Sequence, residues 1–495
     1  MQALGPFSDK KATKYQIRNT KVKEMQNVTV TAFEKGGRAL NRSYRSITAL
    51  VALFLNFTCG TLAFSSGQEN TFAGALIFLS FLICIIMFSR MINSSVVKPV
   101  LFMTLLYWIY ALVLPAIYQA RTDNFFWRSS ALSDHNIEVS AVILLVGTLG
   151  LLLGSRFRFG SSLRTRIPSR LTLRNDLAAF IISAIILLYA AALVQIFGWQ
   201  SYFLPRELAE NAFKAASGGN MLIGAFAKTA PKAAAIAILA ICLYNYSNKR
   251  RGALAMSALL MAIISNLLVN FPIATPRYFL VSVAFVVLGT VGLRAFIRHK
   301  AFFYVSAPIL IYVVFPFLGQ WNRGAGIRGE DTSISLSEYL AHGDMDGFQS
   351  LTNAVQYADT YGLLLGRQIL SAFFFFVPRS IWENKGEPSG SVAAEAAGYS
   401  YLNISMPLPG EFFMDFGILG AFFGTLLLGV IARSGDEMFK NIRGGIDPGA
   451  VYAVTIASFI PIIVRGPLLS TVQAAMVAFF VIYVWRLLPR LRGVK

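Results

Sequence analysis

Histidine and cysteine are nearly absent from this chain, with 3 of each in 495 residues, and acidic residues number only 24. Cys59, Cys84 and Cys242 each sit alone inside an apolar run, with no histidine or second cysteine nearby. Neither a disulfide framework nor metal-ligand spacing follows. Charged residues make up 14% of the chain, against about 25% in soluble domains. No glycine-rich nucleotide loop is found, and no tandem or inverted repeat of the kind many transporters show. Pumping driven by nucleotide hydrolysis is therefore not expected. The first 46 residues hold no apolar run, so they do not read as a signal peptide. They read as a basic cytoplasmic tail.

What is abundant is apolar. Hydrophobic residues are 56% of the chain, phenylalanine alone contributes 41, and the mean hydropathy is +0.59. A soluble fold has no interior large enough for this, so the main solvent is lipid. Twelve apolar runs have spanning length: Ile47–Phe64, Thr71–Phe88, Val100–Tyr118, Ile137–Gly154, Leu177–Phe197, Met221–Tyr246, Ala253–Phe271, Tyr278–Leu293, Ala301–Leu318, Phe412–Ala432, Ala450–Val464 and Pro467–Trp485. A thirteenth, Gly362–Val377, is short and carries Arg367, and reads as re-entrant or interfacial. The fold class is an all-α polytopic membrane protein. Residues 1–46 form its tail, 47–318 nine spans, 319–411 one large outer loop, 412–485 three more spans, and 486–495 a second tail.

The net charge of +20 fits this topology. With both termini inside, cytoplasmic segments hold 31 lysines and arginines and outer segments 11. That is the positive-inside pattern, and it removes any need for nucleic acid as a partner. Counting Gly362–Val377 as a full span would turn Arg433, Lys440, Arg443 and the C-terminal tail outward, so twelve spans is the better count.

The chemistry is expected in the outer loop, because a long loop on a protein with short connections is usually functional. Nine of the eleven outer cations are arginine, the residue suited to two-point phosphate contact. Arg277 lies in a six-residue turn and Arg465 in a two-residue hairpin, so both stay near the membrane plane. Arg379 follows Pro378 directly after an apolar run and belongs near that plane too. The competing reading is snorkelling to lipid headgroups. As a group, with Arg323, Arg328 and Arg367, the arginines point to an anion site. Lys228 and Lys232 flank Pro231 inside an apolar run. They either face a cavity, with backbone groups freed by the proline, or mark the interfacial start of a helix. The stretch His342-Gly-Asp-Met-Asp346 reads as a solvated turn, and no metal is implied. Glu411 falls at the outer mouth of the tenth span. There it suits a base with a raised pKa or a helix-terminal carboxylate.

Two stretches, Phe376–Lys385 (FVPRSIWENK) and Pro407–Gly417 (PLPGEFFMDFG), resemble the bacterial repeat-unit polymerases of O-antigen, capsule and exopolysaccharide, the Wzy-type family. The turn Thr275–Tyr278 and the hairpin Ile463–Pro467 resemble that family's other outer arginine positions, and the topology as a whole is similar. Arg379 and Gly390 reproduce one arginine-to-glycine spacing of the family, while a second copy in the Gly198–Asn220 loop is absent. The resemblance implies an inner-membrane glycosyltransferase, similar to the integral-membrane (GT-C-like) class, that is metal-independent, has no cofactor and inverts the anomeric centre. Its substrate would be an oligosaccharide repeat unit on undecaprenyl pyrophosphate at the outer leaflet, with membrane lipid, a flippase and a chain-length regulator as partners. The expected catalytic residues are Glu411 and Arg379. Arg277, Arg323, Arg328, Arg367, Arg465, Lys385, Lys228 and Lys232 are expected to bind substrate, with Arg277, Arg379 and Arg465 converging on the pyrophosphate. An O-antigen ligase shares the architecture, but would present a histidine motif early in the loop that His342 does not match. A lipid-oligosaccharide flippase would favour short outer loops.

Overall fold

The computed structural model describes residues 50–94, 98–127, 132–157, 173–218, 221–248, 251–291, 311–312, 335–438 and 449–491. The N-terminal tail, nearly all of the expected span Ala301–Leu318, and Arg323 and Arg328 lie outside the described residues. Within them the chain is all-helical, with no strand. Seven helices are long and apolar enough to cross a membrane, and four shorter apolar helices accompany them. The chain is a membrane protein. Its lipid-facing character shows in the large apolar side chains left outside the bundle: Phe54, Leu188, Ile196, Leu419, Phe423 and Phe480 are all well exposed.

The first helices run α1 (Leu50–Ser65), α2 (Thr71–Asn93), α3 (Pro99–Thr122), α4 (Asp134–Gly154) and α5 (Leu173–Phe197). The side chains of Asn70 and Ser133 cap α2 and α4 by accepting from Ala73 and Asn136 N–H, the expected job of short polar residues at helix starts. Helix α3 is apolar all round and wholly buried through its spanning window, as a central bundle helix must be. Pro115 has no N–H and its ring clashes with the carbonyl four residues back. The helix relaxes through a π-turn over Trp108–Val113 to admit it.

The same device recurs in α7 (Phe226–Ser247), which follows the short surface helix α6 (Arg206–Ser217). A π-turn over Ala225–Thr229 precedes Pro231. The carbonyls it frees are taken up by hydroxyls: Tyr202 donates to Ala227 at 2.9 Å, and Tyr189 donates to Phe226. The helix thus continues through Pro231 rather than starting there, and both lysines lie near its N-terminal end. Helices α8 (Ala253–Val269) and α9 (Arg277–Thr290) follow.

The loop before the last spans contains α10 (Leu336–Leu340), a single 3-10 turn Gly343–Met345, α11 (Gly347–Tyr361), α12 (Arg367–Phe373) and α13 (Ser389–Ala396). The segment Gly362–Val377 therefore holds a seven-residue helix and turns. The chain ends in α14 (Leu408–Met438), α15 (Gly449–Arg465) and α16 (Leu468–Leu491). Helix α14 breaks at Phe416–Gly417, where Gly417 takes a φ of 64°, open to glycine without strain.

Helices α4 and α14 form the most extensive helix pair. Gly150, Gly154 and Gly429 let the backbones touch: a methyl group at Gly154 would meet the Leu426 carbonyl, and one at Gly429 the Leu151 carbonyl. Small residues at such crossings are how helices associate in lipid, where no hydrophobic force drives them together. Gly154→Leu is expected to cost about 1–3 kcal/mol, seen as a lowered melting temperature of the detergent-purified protein. Gly224→Ala, which meets nothing within 4 Å, should melt like the wild type. Equal melting of all three would show the pair is not tightly packed.

Three carboxylates on α14 tie other helices to it. Asp436 accepts from Val100 and Leu101 N–H at the start of α3, Asp415 from Gln368 and Ile369 N–H at the start of α12, and Glu411 from Leu468 N–H at the start of α16. Each answers the unpaired N–H groups and positive dipole end of a helix start. Glu411 and Asp415 thus fix α16 and α12 to the first half of α14, and Asp436 fixes α3 to its other end.

Candidate functional site

The outer loop does not lie over the bundle as a solvated cap. The first nine residues of α11, Gly347–Val355, are buried, with α11 packed against α3, α4 and α14. Gln119 of α3 holds this insertion by donating to the carbonyls of Leu340 and Met345 at 2.9 and 2.8 Å.

The segment just before α11 overturns one expectation. His342–Asp346 is no solvated turn, since Asp344 is 9% and Asp346 2% exposed. Each carboxylate meets an arginine from a helix end: Arg277 is the first residue of α9 and Arg465 the last of α15. Arg277 donates to Asp344 Oδ1 at 2.7 Å, and the same nitrogen lies 2.6 Å from Oδ2 as an ion pair. Arg465 donates to Asp346 Oδ1 at 3.1 Å and to the Gly343 carbonyl at 2.9 Å. Asp346 also accepts from Ser405 Oγ at 2.5 Å and from the Trp127 indole at 3.2 Å. A buried carboxylate needs such partners, because an unpaired charge there is severely penalised. Nothing in the spacing D-x-D revealed that two distant arginines would fold onto it.

A second group of cations continues the mouth. Glu210 of α6 accepts from Arg206 at 3.1 Å and pairs with Lys228 at 3.5 Å. Burial opposes both charges. Even so, Lys228 and Arg206 hold the Glu210 carboxyl below its usual range, and Glu210 with Tyr278 holds the Arg206 guanidinium above its own. One turn along α7, Lys232 reaches the Thr275 hydroxyl at 3.4 Å and lies over the Phe279 ring. Thr275 is two residues from Arg277, so Lys232 ends beside the segment that carries the Arg277–Asp344 pair. Among the described residues, the five cations Arg206, Lys228, Lys232, Arg277 and Arg465 face three carboxylates, Glu210, Asp344 and Asp346.

The other expected site residues are placed elsewhere. Arg379 donates to the carbonyls of Lys385 and Gly386 and pairs with Glu387 at 3.6 Å. Lys385 donates to the carbonyls of Phe375 and Val377 at 2.6 and 2.9 Å. Burial and the neighbouring Arg379 push its ammonium below the usual lysine range. These two cations stitch their own loop together. Arg367, the first residue of α12, is exposed. Glu411 is 1% exposed, with one oxygen on Leu468 N–H at 2.8 Å and the other accepting from Ser389 at 2.5 Å. It holds the start of α16 three residues beyond Arg465, and the Arg465 carbonyl in turn accepts from Met406 N–H.

Among the described residues no group of three histidines, cysteines or carboxylates is placed to hold a metal ion. Comparison with family models, with curated proteins and with solved structures returns no match to this chain.

Proposed function

We propose that this protein is a repeat-unit polysaccharide polymerase. On this reading it is a twelve-span, GT-C-like glycosyltransferase of the bacterial inner membrane with both termini in the cytoplasm. It joins oligosaccharide units carried on undecaprenyl pyrophosphate at the outer face. The observation that supports it is the row of cations at one end of the bundle, where arginines from two short turns meet a carboxylate pair from the long loop. A pyrophosphate on a lipid tail must sit at the membrane boundary, and the net positive balance of that mouth suits it.

The chemistry asks little else of the chain. The acceptor hydroxyl oxygen forms a bond to the anomeric carbon. The bond from that carbon to the phosphate oxygen breaks, its electron pair leaves on the pyrophosphate, and the hydroxyl proton passes to a carboxylate or pyrophosphate oxygen. Charge grows on the leaving group, so fixed arginines aimed at it lower the barrier. Arg465 and Arg277 are fixed by their aspartates before substrate arrives, which removes the cost of ordering them. Glu411 is a positioning residue in this scheme: it sets the start of α16 and with it the hairpin carrying Arg465. Arg379 and Lys385 shape the loop preceding α13.

Deletion of the gene followed by gel analysis of surface glycan tests the reading in cells. Single-repeat caps on an otherwise intact glycolipid core are expected. A core with no cap at all would point to ligation or flipping instead.

A further inference from the structure

Beside the cation row lies an aromatic surface that the transfer chemistry does not use. Trp127, in the connection between α3 and α4, stacks on Tyr401 with ring centroids 5.2 Å apart and planes 17° apart. Phe126 meets the Trp127 ring edge-on at 4.7 Å. Tyr401 is 44% and Phe126 40% exposed, so part of the group is open at the surface rather than filling a core.

Its rigidity is unusual for a loop side chain. Gln349 of α11 grips the Trp127 backbone at both ends, accepting from its N–H at 3.0 Å and donating to its carbonyl at 2.6 Å. The indole N–H donates to Asp346. Tyr399, on the other side of Trp127, is held by Gln349 and Asn353. Three side chains, Gln349, Asp346 and Asn353, thus fix the half-buried Trp127 and Tyr399 rings, and Trp127 in turn backs the exposed Tyr401 ring, the kind of preorganisation that binding sites use. Asp346 is shared: one oxygen takes Arg465 and the other takes Trp127. Through Asp346 the rings adjoin the Arg465 end of the cation row.

From this juxtaposition we infer that the Trp127–Tyr401 ledge is a sugar-binding subsite, on which one pyranose ring of the lipid-linked repeat unit stacks while its pyrophosphate lies among the cations. The inference rests on the polymerase reading and adds a carbohydrate contact to it. A pyranose offers a face of C–H groups that suits the electron-rich face of an aromatic ring. Its hydroxyls project at the rim of the pyranose, away from the stacked face. A lipid headgroup without a sugar has no such face. The ledge thus separates glycosylated from bare carrier.

The test measures binding of two probes to the full-length protein in detergent: undecaprenyl pyrophosphate, and undecaprenyl pyrophosphate carrying one repeat unit. Wild type should bind the glycosylated lipid more tightly. Tyr401→Ala should lose about fivefold of that affinity and leave bare-carrier binding unchanged, which also reports an intact fold. Tyr401→Phe keeps the ring and should keep the sugar-dependent gain. If wild type binds both lipids equally, or Tyr401→Ala keeps the full gain, the subsite is refuted while the polymerase reading stands. If neither lipid binds wild type, the functional reading falls and the ledge falls with it.

Discussion

Replacing Arg465 by alanine is expected to cut long-chain polymer at least a hundredfold. Two losses combine. One charge-assisted contact to a desolvated phosphate is worth about 1.5–3 kcal/mol, or one to two decades in rate. Asp346, 2% exposed, is also left without its cation, and breaking a buried pair costs about 3–5 kcal/mol. Arg465→Lys should recover only part of the activity, since an ammonium does not reproduce the guanidinium's hold on Asp346 and the Gly343 carbonyl together. The double variant Arg465→Ala, Asp346→Asn separates the two losses. It should melt higher than Arg465→Ala alone, because the orphaned charge is gone, and polymerise no better. Gel analysis of chain length and a melting curve check both. Wild-type polymer from Arg465→Lys would identify this arginine as a headgroup contact and remove it from the site.

The second large effect concerns Glu411, where two substitutions of similar reach should part company. Glu411→Ala removes the acceptor for Leu468 N–H and for the Ser389 hydroxyl. An orphaned buried donor costs about 1–3 kcal/mol, and α16 loses the negative charge at its positive end. Arg465 precedes that helix by three residues, so the hairpin shifts and long chains disappear. Glu411→Gln keeps a carbonyl oxygen for Leu468 and offers an amide to Ser389. It should retain long chains at more than about a tenth of the wild-type amount. A proton-accepting Glu411 gives the opposite pattern, with the glutamine variant as inactive as the alanine one while melting normally.

Why the sequence announced some of this and concealed the rest is a matter of range. Apolar runs are local, and eleven of the twelve expected spans overlap the helices of spanning or near-spanning character; the remaining one, Ala301–Leu318, lies outside the described residues but for Ile311 and Tyr312. The proline at 231 announced a disturbance in α7, and a π-turn is what formed. Arg277 and Arg465 were legible as cations at helix ends because two to six residues cannot carry them far, and Arg277 starts α9 while Arg465 ends α15. Their partners were not legible. Asp344 and Asp346 look like a solvated turn until α11 is seen to insert into the bundle, a choice made by packing against α3, α4 and α14 and invisible in the loop's own composition. The same holds for Arg206 and Glu210, whose i,i+4 pairing on α6 was readable but whose contact with Lys228 was not. The ledge had no local signal at all, since Trp127 and Tyr401 are far apart in the chain. The bonds of Arg379 to the carbonyls of its own loop, Lys385 and Gly386, likewise had no signal in the spacing.

The central claim is that this protein itself joins lipid-linked repeat units without a metal. Purified protein, supplied in detergent with undecaprenyl-pyrophosphate-linked repeat unit and a chelator, measures it directly on a gel. A ladder of lengthening glycan with release of undecaprenyl pyrophosphate is the expected result. Single-repeat lipid recovered unchanged from protein that binds it, or a ladder that appears only when a divalent ion is restored, would contradict the account.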